Sequence, residues 1–75
     1  MACPCCRYKT IAADFDICPI CFWENDPWQV NHPDATGANS ISLREAQANF
    51  KRIGASSQAA LQHVRKPLPT EAPDP

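Results

Sequence analysis

The residues able to do chemistry crowd the amino-terminal third of the chain. Cys3, Cys5 and Cys6 stand in "CPCC", Cys18 and Cys21 in "CPIC", and no cysteine follows. C-P-x-C therefore occurs twice, as Cys3-Pro4-Cys5-Cys6 and Cys18-Pro19-Ile20-Cys21. Two cysteines separated by two residues can turn both sulfurs towards one point, and two such turns complete a tetrahedron around Zn²⁺ at about 2.3 Å per sulfur. Proline after the first cysteine fixes φ and removes a competing N–H, which shapes the tight turn. The expected metal ligands are Cys3, Cys6, Cys18 and Cys21. Cys5 lies between two of them, where alternation around the turn points it away from the metal. It is read as a small apolar side chain packed under the knuckle, with a substitute ligand or a reactive, sensing thiol as the sharper alternatives.

Competing chemistries fit less well. An odd number of cysteines suits a disulfide framework poorly, and in an intracellular setting paired C-x-x-C reads as metal or redox chemistry. Iron is the alternative metal, since four thiolates also hold iron. The likeness to rubredoxins is confined to the C-P-x-C knuckle, and Arg7 and Phe22 stand where glycine commonly follows it. A thioredoxin-like redox enzyme needs a βαβ pattern that 75 residues of this composition do not show. His32 and His63 are unnecessary as ligands beside four cysteines, and Glu24, Asp26 and Asp34 read as a solvated turn rather than a calcium loop. No nucleophile–base set or phosphate loop can be picked out, so no enzyme is expected.

The elements that must position the sulfurs follow from the intervening sequence. Between Cys6 and Cys18, Phe15 and Ile17 alternate with Asp14 and Asp16, the period-2 pattern of a half-buried strand. Residues 7–11 supply a partner strand and residues 12–14 the turn, giving a hairpin that brings the second C-x-x-C to face the first. Residues 24–41 read as an ordered loop, punctuated by Pro27, Pro33 and Gly37. Residues 42–53 form the clearest helix, with Ser42 as N-cap, Glu45 completing an S-x-x-E box and Ile41 as a staple against Ala46. Leu43, Ala46, Phe50 and Ile53 make its apolar face, Lys51 and Arg52 suit its last turn, and Gly54 ends it. A short second helix over "SSQAALQHV" turns Ala60, Leu61 and Val64 inward. The proline-rich tail that follows carries no packed core of its own. The expectation is a small α+β, metal-stabilised domain: a zinc-ribbon or rubredoxin-like two-knuckle β-hairpin, one main α-helix and a short C-terminal helix. The domain spans residues 1–64 and the tail residues 65–75.

Size and charge narrow the function. A chain of 75 residues is one domain, and at this size a hydrophobic core alone rarely gives more than about 3–5 kcal/mol. The aromatics other than Phe50 cluster in or just after the cysteine region, so one core is expected around the thiols. The formal charge of −1 falls further once four thiolates close on a dication, which argues against a dedicated nucleic-acid binder. The basic residues Arg7, Lys9, Arg44, Lys51, Arg52, Arg65 and Lys66 read as scattered solvated charge, with a nucleic-acid-binding zinc ribbon as runner-up. Met1-Ala2 leads straight into cysteine with no basic or apolar leader, and no apolar run approaches the roughly 18 residues of a membrane span. A cytoplasmic protein is expected. Trp23 is expected in the core. Trp28, Asn39, Arg44 and Lys51 are the candidate contacts to a protein partner, tryptophan being enriched at interface hot spots.

The blocks "CPCCRYKT", "CPICFWEND", "GANSISLREAQANFKRIGAS" and "VRKPLP", in this order, resemble the bacterial cysteine-rich CPCC family over nearly the whole chain. Arg7 departs from the glycine usual at its place. The resemblance implies a small bacterial protein that binds metal through Cys3, Cys6, Cys18 and Cys21. It also suggests, by association with toxin systems, an immunity or inhibitor role.

Overall fold

Each C-P-x-C turn reverses the chain on itself. In the computed structural model, which describes residues 1–74, Cys3 N–H donates to the Tyr8 carbonyl at 2.8 Å and Arg7 N–H to the Cys3 carbonyl at 2.8 Å. The second turn repeats the pattern, Cys18 N–H to Trp23 O at 2.9 Å and Phe22 N–H to Cys18 O at 2.7 Å. Each turn is closed by one antiparallel bridge, Ala2 with Lys9 and Ile17 with Glu24. Both turns require a left-handed residue just after the second cysteine, and Arg7 (φ 74°) and Phe22 (φ 68°) adopt it without being glycine.

These bridges correct the expected β-hairpin. Among the described residues no sheet forms, because the segments flanking each knuckle pair with that knuckle's own exit and not with each other. Ile11 N–H donates to Met1 O, while Phe15 N–H donates to Asn25 O and Asn25 N–H to Asp16 O. The alternation over residues 14–17 misleads for a local reason. The Asp16 carboxylate accepts the N–H groups of Ala12 and Ala13 at 2.8 and 2.9 Å, a turn that competes with strand pairing, and Phe15 takes a positive φ of 64°. Phe15 and Ile17 end about half exposed instead of facing the core.

The loop after the second knuckle contains a short helix. Helix α1 spans Pro27–Asn31, capped by the Asp26 carboxylate, which accepts Trp28 N–H at 2.9 Å. Helix α2 spans Leu43–Ile53. Ser42 caps it through Glu45 N–H at 3.1 Å, and Gly54, at φ 81°, ends it with its N–H on Phe50 O. Leu43 and Ala46 of α2 are buried against the cysteines, Ile11, Ile20 and Trp23, with Tyr8, Ile41 and Phe50 packed around them. The core is thus built on the thiols. Beyond α2 the expected second helix is a 3-10 turn, Ala59–His63, with Ala60 buried but Leu61 facing solvent. Five residues of this tighter geometry cannot turn three apolar side chains to one side.

Among its described residues, 65–74, the proline-rich tail adds no buried side chain but lies across both knuckles. Arg65 N–H donates to Pro19 O at 3.1 Å, and Lys9 N–H to Glu71 O at 2.8 Å. The Arg65 guanidinium grips the Glu71 carboxylate through two bonds of 2.9 and 2.7 Å, and Leu68 N–H adds a third donor. Hydrogen bonds from Arg65 and then from Leu68 hold Glu71 down to a pKa of about 2. A lowered carboxylate stabilises the folded state above its unfolded value and loses that contribution as pH falls. The strap is therefore expected to loosen between about pH 4.5 and pH 2, read by NMR as a Glu71 carboxyl titration coinciding with loss of protection at Lys9 N–H.

Candidate metal centre

The two knuckles bring four sulfurs together. The Sγ atoms of Cys3, Cys6, Cys18 and Cys21 all lie within 4.8 Å of one another. Contacts run between the turns, Cys3 to Cys21 at 3.6 Å and Cys6 to Cys18 at 3.6 Å. These separations are far beyond a disulfide bond. They approach the edge of about 3.8 Å that a tetrahedron of sulfurs has at 2.3 Å from a central ion. All five cysteines are free thiols, and Cys3, Cys18 and Cys21 are fully buried. The donor set is therefore complete, all sulfur and closed, as a structural metal site requires.

The electrostatics ask for a cation. Hydrogen bonds from Cys21, Cys3 and Cys6, and from the Thr10 hydroxyl, hold the Cys18 thiol far below its ordinary value. Hydrogen bonding to that anion, first of all, pushes Cys21 and Cys6 far up. Cys3 is lowered as well, since against an opposing hydrogen bond to Cys18 those from Cys21 and Cys6 prevail. Two thiolates thus form readily while Cys6 and Cys21 resist, since like charges this close disfavour one another. A dication removes the conflict.

Thr10 was not foreseen as part of the site. Its Oγ1 donates to Cys18 Sγ at 2.9 Å, and Ile20 N–H approaches the same sulfur at 3.4 Å. Such outer partners orient ligands and tune affinity, typically by 10- to 100-fold. Thr10→Val, which keeps the shape and removes the hydroxyl, is expected to weaken metal retention by roughly tenfold in chelator competition, with Thr10→Ser restoring it.

The remaining candidates fall in different places. Cys5 is buried and stands outside the four-sulfur group. Trp23 is fully buried in the core, whereas Trp28 is half exposed and stacks on His32 with ring centroids 4.1 Å apart. His63 stacks on Phe22, so neither histidine joins the sulfurs. Arg44 is engaged by Asp34 at 2.6 Å. Lys51 is exposed and makes no ion pair among the described residues. Asn39 pins the loop: its side chain accepts Glu24 N–H at 3.0 Å and donates to Glu24 O at 2.8 Å.

Gln29, which no motif in the sequence marks, is fully buried and organises residues 25–41. Its Nε2 donates to Ala35 O at 2.9 Å and Ile41 O at 3.0 Å, and its Oε1 accepts from Asn39 N–H and Nδ2. Asp26 adds a bond from Ala38 N–H at 2.9 Å. Gly37 lies so close that a Cβ there would stand 2.5 Å from Asp26 Oδ2 and 2.8 Å from Gln29 Cγ.

The family model described as "Cysteine-rich CPCC" matches residues 1–71. No curated protein matches the chain. Among the described residues no helix is long and apolar enough to cross a membrane.

Proposed function

This chain belongs to the cysteine-rich CPCC family, and on that premise we propose that it is a zinc-stabilised protein-binding module. The observation that carries the zinc reading is the closed cluster of four buried sulfurs, Cys3, Cys6, Cys18 and Cys21. Catalytic zinc keeps a coordination position open, whereas four protein sulfurs leave none. The metal supplies cross-linking here: it ties the two knuckles into a base for α2 and for the loop carrying α1. Iron would fit the same donors, but zinc brings no redox chemistry for which a partner would have to be found.

The partner-binding part of the reading rests on what the metal-anchored frame presents. Trp28 and Val30 project from α1 into solvent, about half exposed, on a segment that Gln29, Asp26 and Asn39 hold from beneath. A rigid, exposed tryptophan suits a protein contact. Lys51 stays outward as a candidate contact. Asn39 and Arg44 would act indirectly, by fixing the loop. Neutralisation of a bacterial toxin is the concrete form of this reading, and family association is what suggests it. Nucleic-acid binding is the weaker reading, because the loaded protein is net negative.

The test joins two measurements. Elemental analysis of the reduced protein is expected to give one zinc per chain. A partner retained from the native host is expected to be lost on Trp28→Ala while the zinc stays bound. Metal-free folded protein would overturn the first half. A captured ligand that is nucleic acid, with affinity falling steeply with salt, would overturn the second.

A further inference from the structure

The four sulfurs are not equally enclosed. Cys3, Cys18 and Cys21 are fully buried, and Cys18 is held further by Thr10. Cys6 keeps 6% of its surface and lines a recess of about 260 Å³ with Cys5, Arg7, Gln47, Phe50 and Lys51. Gln47 of α2 fixes one wall by donating to Pro4 O at 2.9 Å. Arg7 and Lys51 are exposed and make no ion pair among the described residues. Arg7 also occupies a left-handed position (φ 74°) where an L side chain costs roughly 1–2 kcal/mol over glycine. The recess therefore joins the least enclosed of the four buried sulfur ligands to two unpaired cations, at the edge of a site whose own charge, when loaded, is negative. Cations there would repel an arriving free metal ion and attract an anion that can itself bind metal.

We infer that the recess formed by Cys6, Arg7 and Lys51 is a ligand-exchange port, through which a small anionic thiol removes metal from the centre or delivers it. The inference rests on the reading that the four cysteines hold a metal. In the exchange the incoming thiolate sulfur bonds to the metal as the bond to Cys6 Sγ breaks. No electron is transferred, and the released Cys6 thiolate takes a proton from solvent. The guanidinium of Arg7 and the ammonium of Lys51 bind the carboxylates of the incoming thiol and hold its sulfur over Cys6.

The experiment uses the full chain loaded with zinc and follows release with a chromogenic zinc indicator under excess glutathione, an anionic thiol, or cysteamine, a cationic one. Release is expected to rise with glutathione concentration, to be faster than with cysteamine, and to slow as salt is added. Lys51→Gln, and Arg7→Gly, which suits the left-handed backbone, are each expected to lower the glutathione rate about threefold, so that the two cations together account for the roughly tenfold at which steering effects begin. Both are expected to leave the cysteamine rate unchanged or raised. Release independent of thiol concentration, equal rates for the two thiols, or insensitivity to both substitutions would overturn the port. Protein that carries no zinc at the outset would instead overturn the metal reading on which the port rests.

Discussion

Stripping the metal from the reduced protein with a chelator is expected to unfold it. Structural zinc carries apparent binding free energies of about 10–16 kcal/mol in small domains, against the 3–5 kcal/mol or so that an apolar core of this size supplies. The core itself shows why the loss cannot be absorbed. Cys3, Cys6, Cys18 and Cys21 are among its members, and Trp23, Leu43 and Ala46 pack against them. Without a cation, four clustered thiols resist becoming thiolates together, and the remaining apolar side chains are too few to hold the knuckles in register. Cys18→Ser is expected to act in the same direction, since it removes a sulfur ligand and leaves the Thr10 hydroxyl facing a shorter, neutral hydroxyl in place of that sulfur. Near-UV circular dichroism of the buried Trp23 and amide dispersion in NMR spectra would report the collapse. Well-dispersed spectra after complete metal removal would refute the account.

Replacing Gln29 by leucine is expected to be the second most damaging change, and to damage a different property. The substitution removes the bonds to Ala35 O and Ile41 O and the acceptor for Asn39 N–H, in a position with no access to water. Buried polar groups left unpaired cost about 1–3 kcal/mol each, so roughly 3 kcal/mol or more is expected in denaturant unfolding. Gly37→Ala attacks the same network by steric means, its Cβ falling on Asp26 and Gln29. Neither residue belongs to the four-sulfur cluster, so metal binding should survive in both variants. The ordered environment of Trp28, read by its fluorescence, should not, and the protein contact proposed for that residue should go with it. A Gln29→Leu protein with wild-type stability would show that the loop is not held this way.

These two sites differ in how far the chain announces them. The sulfur cluster was legible because its geometry is local: C-P-x-C shapes a turn within a few residues, and two copies imply a shared point. Helix α2 was legible for the same reason, through Ser42 and Gly54 at its ends. The hairpin was misread because alternation at Phe15 and Ile17 is only a statistical sign of a strand, while the Asp16 carboxylate settles the local backbone by capturing two N–H groups. Helix α1 carried a readable signal, an Asp26 cap followed by Pro27 at the first helical position. Gln29 carried none. A buried amide satisfied by carbonyls six and twelve residues away has no periodicity, and only the folded loop reveals it. The tail was legible as proline-rich, but the Arg65–Glu71 pair that lays it over the knuckles depends on partners already in place.

The order of the ligands along the chain also bears on how the molecule assembles. All four sulfurs fall between residues 3 and 21, so capture of an ion by them would close only a short loop, at a modest cost in chain entropy. Contacts so close in sequence form early. Ion capture can thus serve as the nucleation event, completed while α2 and the strap of residues 65–74 are still unfolded, or still unsynthesised on the ribosome. A nascent chain that meets its ion promptly acquires a scaffold for everything downstream, and one that meets it late exposes Trp23 and Leu43 in the meantime.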